Sequence, residues 1–191
     1  MKRRIIALAA IVCAMTLLLC ACGGGSGGGG GETVDNGLLS ATCPKGWMYY
    51  QPTDVFGETD ADGNHPIDPK QMMFIKDGKS EWDLFSKPVV SVSYNEGQIT
   101  DDTISWTTYF LTDPQEITVT IDGVECRAIV GKSLVDDDNP DTDYWEYVYI
   151  FKPVEAGGYL QINVPLHCGE NDGVKLEDND VSTILTTITL K

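Results

Sequence analysis

The sequence predicts an α+β domain in which a single antiparallel β-sheet is flanked by a few helices. Segments that alternate apolar and polar residues, as half-exposed strands do, recur along the chain. Turn signals such as Asp122-Gly123 join neighbouring segments into hairpins. Because the strands follow one another instead of alternating with long helices, we expect an antiparallel sheet and not parallel βαβ units.

The first half of the domain contains three predicted strands and two predicted helical segments. The strands are residues 38–42, residues 71–76, which end at the Asp77-Gly78 turn, and residues 89–94. Residues 81–86 are predicted to form a helical turn. Residues 103–111 are predicted to form a short helix because Ile104, Thr108 and Leu111 recur at helical spacing, although β-branched residues weaken that prediction.

The second half contains the clearest hairpin signal. Residues 116–121 and 124–130 alternate on either side of Asp122-Gly123, a pair typical of a type I′ turn. An aromatic strand at 144–151 and a strand at 159–164 are predicted to pair next. Asp180 is expected to cap a last helix. The apolar stripe of that helix is Val181, Ile184, Leu185 and Ile188. Residues 187–191 can alternatively leave the helix as an edge strand.

Residues 1–21 have the features of a secretory signal peptide. Three basic residues at 2–4 precede an apolar stretch at 5–19, which is shorter than the roughly 20 residues that cross a bilayer. The run Leu19-Cys20-Ala21-Cys22 resembles a bacterial lipobox. That resemblance implies cleavage before Cys22, lipidation of its sulfur and a location on the bacterial cell membrane, facing outside the cytoplasm.

The rest of the chain divides into a tether, residues 22–36, and one globular domain, residues 37–191. Residues 23–31 are glycine except for Ser26, and such a segment has too much backbone entropy and too few side chains to fold. A flexible linker of this length spans roughly 15–18 Å. We therefore expect the lipid anchor to hold the domain just off the membrane.

The chain is strongly acidic. Its formal charge is −16, and loss of the three basic residues of the signal peptide changes this value to −19. An acidic surface opposes contact with nucleic acid and with anionic lipid headgroups. The charge therefore indicates either solubility alone or cation binding by an acidic loop.

One acidic loop resembles the first half of a calcium-binding loop. The candidate ligands are Glu58, Asp60, Asp62 and Asn64. Oxygen ligands at alternate positions, followed by a turn glycine such as Gly63, are what Ca²⁺ requires. The second half departs from the pattern, because Pro69 stands where a bidentate Glu belongs. The sequence leaves open a calcium site and a solvated turn; no other cofactor is implied.

Three cysteines remain after the anchor: Cys43, Cys126 and Cys168. A disulfide between Cys43 and Cys168 is favoured because both lie at predicted strand ends and the compartment tolerates disulfides. Three buried thiols are the alternative. Because His167 and Cys168 are neighbours on a strand, they point to opposite faces and cannot form a catalytic dyad.

Several features together resemble the PsbP family and similar bacterial lipoproteins. They are the opening strand into Pro44-Lys45-Gly46-Trp47, the Asp122-Gly123 hairpin, the aromatic hairpin at 144–164 and an Asp-x-x-x-Ile-Leu ending from Asp180 to Leu185. The resemblance covers nearly the whole domain. It implies an α/β/α sandwich around an antiparallel sheet and a non-enzymatic role in binding or assembly, with no catalytic residues to carry over.

We therefore expect a lipid-anchored binding or scaffolding module without catalytic activity, whose partner is another envelope protein or ligand. The alternatives are a calcium-dependent binding module and an enzyme acting on the cell wall or on glycans. Trp145, Tyr147 and Tyr149 share one face of their strand, which we expect to be the buried face. If that face is exposed instead, it becomes a candidate ligand surface.

Overall fold

A computed structural model of the chain describes residues 31–134, 144–169 and 171–191. The predicted signal peptide, the lipidation site Cys22 and the glycine tract as far as residue 30 lie outside the described residues. Every strand and helix reported below lies between Glu32 and Leu190. A chain that begins at Gly23 therefore retains all the contacts described here. Within the described part, no helix is long and apolar enough to cross a membrane.

The described residues form eleven strands, two α-helices and a 3-10 helix. The first five strands are β1 (Glu32–Asp35), β2 (Leu39–Cys43), β3 (Trp47–Tyr50), β4 (Gln71–Lys76) and β5 (Val89–Asn95). The next four are β6 (Thr112–Ile121), β7 (Val124–Leu134), β8 (Tyr144–Pro153) and β9 (Tyr159–Cys168), and the last two are β10 (Asn171–Asp172) and β11 (Thr189–Leu190). The helices are the 3-10 helix Glu81–Phe85, α1 (Asp101–Thr108) and α2 (Asn179–Thr187).

The strands form two antiparallel sheets, which corrects the predicted fold class. The main sheet has the order β3-β4-β5-β9-β8-β7-β6, with β10 paired to β9, and the small sheet has the order β1-β2-β11. Strand accounts for 48% of the described residues and helix for 15%. The expected α+β fold, a single sheet flanked by a few helices in an α/β/α sandwich, is therefore wrong, and the fold is β-rich. Strands β6 to β9 are each ten or eleven residues long, which leaves little chain for helices.

One face of the main sheet, here called the closed face, carries the principal core. Side chains from neighbouring strands, such as Phe74, Val92 and Ile162, are buried against the small sheet and α2, whose Ile184 is also fully buried. The stripe predicted for this helix is confirmed, since Val181, Ile184, Leu185 and Ile188 are all buried. Burial of each such side chain stabilises the fold by about 1.5–3 kcal/mol.

The opposite face, here called the open face, has a smaller core under α1. Its four buried residues are Ile104, Ile129, Phe151 and Tyr159. Helix α1 begins at Thr100, whose side chain accepts a hydrogen bond from the Thr103 backbone N–H at 3.2 Å. The rest of this face has no second layer of strands among the described residues.

Local signals predicted the turns and most strand positions. The β6–β7 hairpin is confirmed, and Asp122 (φ 51°) and Gly123 (φ 77°) both have the positive φ of a type I′ turn. The alternative of a final edge strand is also confirmed, because β11 pairs with β2. The predicted cap is wrong, since α2 begins two residues earlier, after Asp178 and not after Asp180. Strand β1 lies inside the segment predicted as tether, so ordered pairing begins at Glu32.

Candidate functional site

A row of aromatic side chains lies on the open face along β8. The rings of Trp145 and Tyr147 are stacked with centroids 5.9 Å apart, and those of Tyr147 and Tyr149 are 5.6 Å apart. All three side chains are only half-buried. The expectation that this face of the strand would be the buried one is therefore wrong, because the closed face is filled by Val148 and Ile150 instead.

The aromatic row ends at an open groove of about 300 Å³. The groove is lined by side chains of α1, of the turn after it and of three strands of the main sheet: Trp106, Thr107, Phe110, Leu111, Ser133, Tyr149 and Gln161. Trp106 and Phe110 are 69% and 66% exposed and lie with ring centroids 6.3 Å apart. Such large exposed apolar side chains, grouped beside a groove, are typical of an interaction surface.

The position of α1 explains why these rings face solvent. Ile104 points down into the small core with Ile129 and Phe151, so the opposite side of the helix, which carries Trp106, is turned outward. The chain then descends to the sheet at Leu111. A Cβ atom at Gly131 would lie 2.8 Å from Leu111 Cδ1, so only glycine permits this close approach.

The floor of the open face beside the groove is polar but uncharged. Gln161 Nε2 donates a hydrogen bond to Asn163 Oδ1 at 3.2 Å, and Asn163 Nδ2 donates to Ser91 Oγ at 3.1 Å. These three side chains are half-buried and extend across β9 and β5. The floor therefore offers amide and hydroxyl groups, which can donate and accept hydrogen bonds without a net charge.

Among the described residues that line the groove, none is an acid or base that is ionised near neutral pH. Among its lining residues the only titratable side chain is Tyr149, and burial raises the pKa of its hydroxyl. Burial also raises the pKa of Tyr147 in the same aromatic row. Both hydroxyls are therefore protonated at neutral pH and can act as donors and acceptors, not as general bases.

The predicted calcium ligands lie in an exposed loop away from the main sheet. Asp60 Oδ1 accepts hydrogen bonds from the backbone N–H groups of Asp62 and Asn64, each at 2.9 Å, and Asp60 Oδ2 accepts one from Asn64 Nδ2 at 3.1 Å. These hydrogen bonds, those from Asn64 above all, hold the pKa of Asp60 below its ordinary value. Glu58 and Asp62 are exposed. The loop is thus closed by Asp60 itself, as in a hydrogen-bonded turn.

No group of three or more His, Cys, Asp or Glu side chains in the described ranges has an arrangement that could hold a metal ion. A loop with only the first half of the calcium-binding pattern supplies only part of a coordination shell. Both carboxylate oxygens of Asp60 already accept hydrogen bonds within the loop. Calcium binding through Glu58, Asp60, Asp62 and Asn64 stays a prediction.

The three cysteines are buried free thiols, and the favoured disulfide between Cys43 and Cys168 is not formed in the structure. Cys43 contributes to the core of the closed face. Cys168 pairs across β8–β9 with Trp145, and directly opposed residues share a face, so it points to the open face. The main sheet thus separates them. Burial raises the pKa of each of these two thiols to about 11.

The ring of His167 contacts another aromatic ring away from the groove. Its ring stacks on Tyr144 with centroids 4.3 Å apart, and Lys132 Nζ lies 4.4 Å from the centre of the same Tyr144 ring. Since Cys168 points to the opposite face of β9, no His–Cys pair is formed.

A second groove lies at the N-terminal end of α2. It is lined by Trp47, Lys76 and residues 178–180, and Trp47 Nε1 donates a hydrogen bond to Asp180 Oδ2 at 3.1 Å. Asp180, which was predicted as a helix cap, therefore ties α2 to the start of β3.

Sequence reasoning missed most residues of the groove. Phe110, Gln161 and Asn163 were not singled out, and the aromatic residues were expected to pack in the core. A signal was present in α1 and the turn after it, where Trp106 and Phe110 lie on the side opposite Ile104. The amide pair on β9 had no signal, because polar residues alternate on any half-exposed strand.

Comparison with known proteins identified no relative of this chain. No family model matches the chain, and no curated protein is significantly similar to it. The resemblance to the PsbP family therefore stays a prediction.

Proposed function

We propose that this chain is a lipid-anchored module, held outside the cytoplasm at the bacterial membrane through Cys22, that binds another component of the cell envelope without catalysing a reaction. The ligand surface is the open face, from the groove beside α1 along the aromatic row of β8. The observation that carries this proposal is the half-buried row Trp145, Tyr147 and Tyr149, which leads to the exposed pair Trp106 and Phe110.

The chemistry of this surface favours an uncharged glycan as ligand. Aromatic faces stack against the C–H faces of sugar rings, and amide and hydroxyl side chains exchange hydrogen bonds with sugar hydroxyls. The groove supplies both, with Trp106 and Phe110 at its rim and Gln161 in its lining. The overall charge of −16 disfavours polyanionic ligands, so a neutral wall or surface polysaccharide is the best match.

The lining of the groove supports binding and not hydrolysis. Enzymes that cleave glycosidic bonds generally use a pair of carboxylates on either side of the scissile bond. The groove has Thr107, Ser133 and Gln161 as its polar residues besides Tyr149, whose hydroxyl is protonated at neutral pH. In the part of the lining that the structure describes, these groups provide no pair of carboxylates.

The binding proposal is tested by titrating the soluble chain from Gly23 with neutral oligosaccharides released from envelope preparations. Binding is followed by tryptophan fluorescence and by calorimetry. Replacement of one ring at the rim, Trp106→Ala, is expected to weaken binding at least about tenfold, which corresponds to roughly 1.4 kcal/mol. Because Trp106 is largely exposed, its replacement should leave the melting temperature unchanged within about 1 °C.

The matched control is Trp82→Ala on the 3-10 helix, since Trp82 is 67% exposed but does not line the groove. Equal affinities of the Trp82→Ala and Trp106→Ala variants would contradict the proposed surface. Binding of extended peptides, and not of any oligosaccharide, would keep the surface but refute the glycan as its ligand.

The anchor is tested separately in cells. Metabolic labelling with a fatty-acid analogue should label the wild-type chain, and Cys22→Ala should abolish both labelling and membrane fractionation. A labelled Cys22→Ala chain would refute the proposed anchor without bearing on the groove.

A further inference from the structure

Strand β6 is a long unprotected edge of the main sheet. In the part of the chain that the structure describes, β6 pairs only with β7, so its other side is open. The strand has ten residues, whereas the opposite edge strand β3 and the edge strand β1 of the small sheet have four each. An edge of this length presents a row of backbone groups that can pair with another strand.

The β6–β7 hairpin determines which backbone groups point outward. In a two-residue type I′ hairpin, the residues that flank the turn, Ile121 and Val124, exchange backbone hydrogen bonds. Hydrogen-bonded and non-hydrogen-bonded pairs then alternate along an antiparallel ladder. It follows that Glu116, Thr118 and Thr120 direct their N–H and C=O groups away from β7.

Features that protect an edge strand from pairing with another strand are confined to the start of β6. Pro114 lacks an N–H group, Asp113 has a positive φ of 51°, and the register shifts between Thr112 and Gln115. Beyond this point, residues 115–121 contain neither Pro nor Lys and consist mostly of Ile, Thr and Val. These are the residue types that favour an added strand.

We propose that β6 is a self-pairing surface, through which two copies of this chain join their main sheets antiparallel about a two-fold axis at Thr118. In that register Thr118 opposes Thr118 of the second copy, Glu116 opposes Thr120, and Ile117 opposes Val119. Glu116, Thr118 and Thr120 are the outward-directed residues, so each opposed pair among them exchanges two N–H···O=C bonds.

The side chains of β6 fit a second copy of the same strand. Ile117 and Val119 are half-buried against the core of the closed face, and pairing would cover their remaining apolar area. Threonine opposite threonine is a favourable cross-strand pair, and no like charges oppose each other in this register. Read antiparallel about Thr118, residues 116–120 place apolar residues opposite apolar ones and polar residues opposite polar ones. An isologous interface requires this kind of self-complementary patch, which is why we infer a second copy of the chain as the partner.

The acidic side chains beside the β6 edge are paired with a basic one. Arg127 Nε lies 2.7 Å from Glu116 Oε1, and Arg127 Nη1 lies 3.1 Å from Asp101 Oδ1. The remaining acidic charge of each chain still opposes association over longer distances. Because salt screens such repulsion beyond about 10 Å at 0.1 M, the dimer should become stronger as ionic strength rises.

The test is sedimentation velocity of the soluble chain from Gly23 over a wide concentration range, at low and at high salt. The wild-type chain is expected to dimerise reversibly, and more tightly at high salt. Thr118→Pro should be monomeric yet folded, because the N–H that it removes points outward and a proline is tolerated on the open side of an edge strand. A wild-type chain that stays monomeric at every concentration and salt would overturn the proposal.

A second variant keeps the proposal falsifiable if Thr118→Pro does not fold. Thr118→Lys places two like charges opposite each other at the two-fold axis and is expected to weaken the dimer at least about tenfold. Thr186→Lys on the exposed side of α2 is the matched control for the added charge and should dimerise as the wild type does. Equal weakening by both substitutions would overturn the proposal.

The register is tested by oxidative crosslinking of Thr118→Cys. Opposed hydrogen-bonded residues have Cα atoms about 5.5 Å apart, which is within the range of a disulfide. The three native thiols are buried, so the new cysteine is the reactive one. Crosslinking no faster than that of Thr186→Cys would refute this register. Oligosaccharide binding by Thr118→Lys should remain normal, which separates this inference from the proposed ligand surface.

Discussion

The two faces of the main sheet differ in how they are covered, although the same strands form both faces. The closed face lies under α2 and the small sheet and contributes to a cluster of twenty buried residues. The open face has four buried residues under α1 and leaves its aromatic row half-buried. The same strands thus contribute stability on one side and a candidate ligand surface on the other.

This difference has a sequence basis in the type of apolar residue. The closed face is built mainly from aliphatic residues such as Val148, Ile150 and Ile162, which have no polar atom to satisfy. The open face carries Tyr and Trp, whose polar atoms require a partner or solvent. An aromatic strand face is therefore suited to partial exposure in a way that an aliphatic face is not.

The largest effect is expected from a cavity on the closed face. Phe74 is fully buried and its ring packs 5.9 Å from that of Tyr49. Phe74→Ala should lower the free energy of unfolding by about 3–5 kcal/mol in urea denaturation. A loss below about 1 kcal/mol would mean that the closed face is not the principal core.

Thiol labelling tests whether the three cysteines are buried free thiols. At pH 8 the native chain from Gly23 should resist a thiol reagent, because burial raises the pKa of Cys43 and of Cys168 to about 11 and hides both sulfur atoms. In guanidinium without reductant, all three thiols, Cys126 included, should react. A single reactive thiol in denaturant would instead establish a disulfide and refute this arrangement.

A smaller loss of stability is expected on the open face. Tyr149 is half-buried and packs against the small core under α1. Tyr149→Ala should lower the free energy of unfolding by about 1–2 kcal/mol, which is less than for Phe74→Ala. The same substitution should weaken oligosaccharide binding at least about tenfold. If its cost in stability equals that of Phe74→Ala, the two faces do not differ as described.

The smallest effect is expected in the loop closed by Asp60, which lies outside both faces. Asp60→Ala should lower the melting temperature slightly, on the order of 1–3 °C, in EDTA and in calcium alike. The matched Asp62→Ala should change it less. An increase of several degrees in millimolar calcium, lost in the Asp60→Ala/Asp62→Ala double variant, would instead establish the calcium-dependent alternative.

The pH dependence of this loop follows from the lowered pKa of Asp60. Because the folded pKa lies below the ordinary value of 3.8, the contribution of this carboxylate is complete above that value. It is lost as the pH falls through the lower folded pKa. The difference in melting temperature between wild type and Asp60→Ala should therefore be constant near neutral pH and disappear in strong acid.

Local sequence signals were sufficient where one short segment determines its own conformation. The Asp122-Gly123 turn and the stripe of α2 are cases of this kind, and both are confirmed. Fold class failed because it depends on non-local pairing. The small sheet unites β1, β2 and β11 from the two ends of the domain, and nothing in Thr189 or Leu190 alone indicates β2 as their partner.

The candidate site was harder to predict for a related reason. Alternation along β8 indicated the wrong face, because the covered face carries Glu146 beside Val148 and Ile150, whereas the half-buried face carries Trp145, Tyr147 and Tyr149. Which face of β8 is covered depends on where α1 and α2 pack. The packing of these helices is determined by the whole chain and not by β8 alone. The lipobox prediction at Cys22, in contrast, rests on four adjacent residues, requires no knowledge of the fold and stays a prediction.

The pairing of β1 with β2 also determines where the two ends of the described domain lie. Both ends belong to the small sheet, where Lys191 forms an ion pair with Asp35 and donates its backbone N–H to Leu38 O at 2.9 Å. The proposed tether would therefore join the domain at β1, on the side of the closed face. A fluorescent protein or epitope fused after Lys191 would sit beside that attachment point, on the opposite side of the main sheet from the groove.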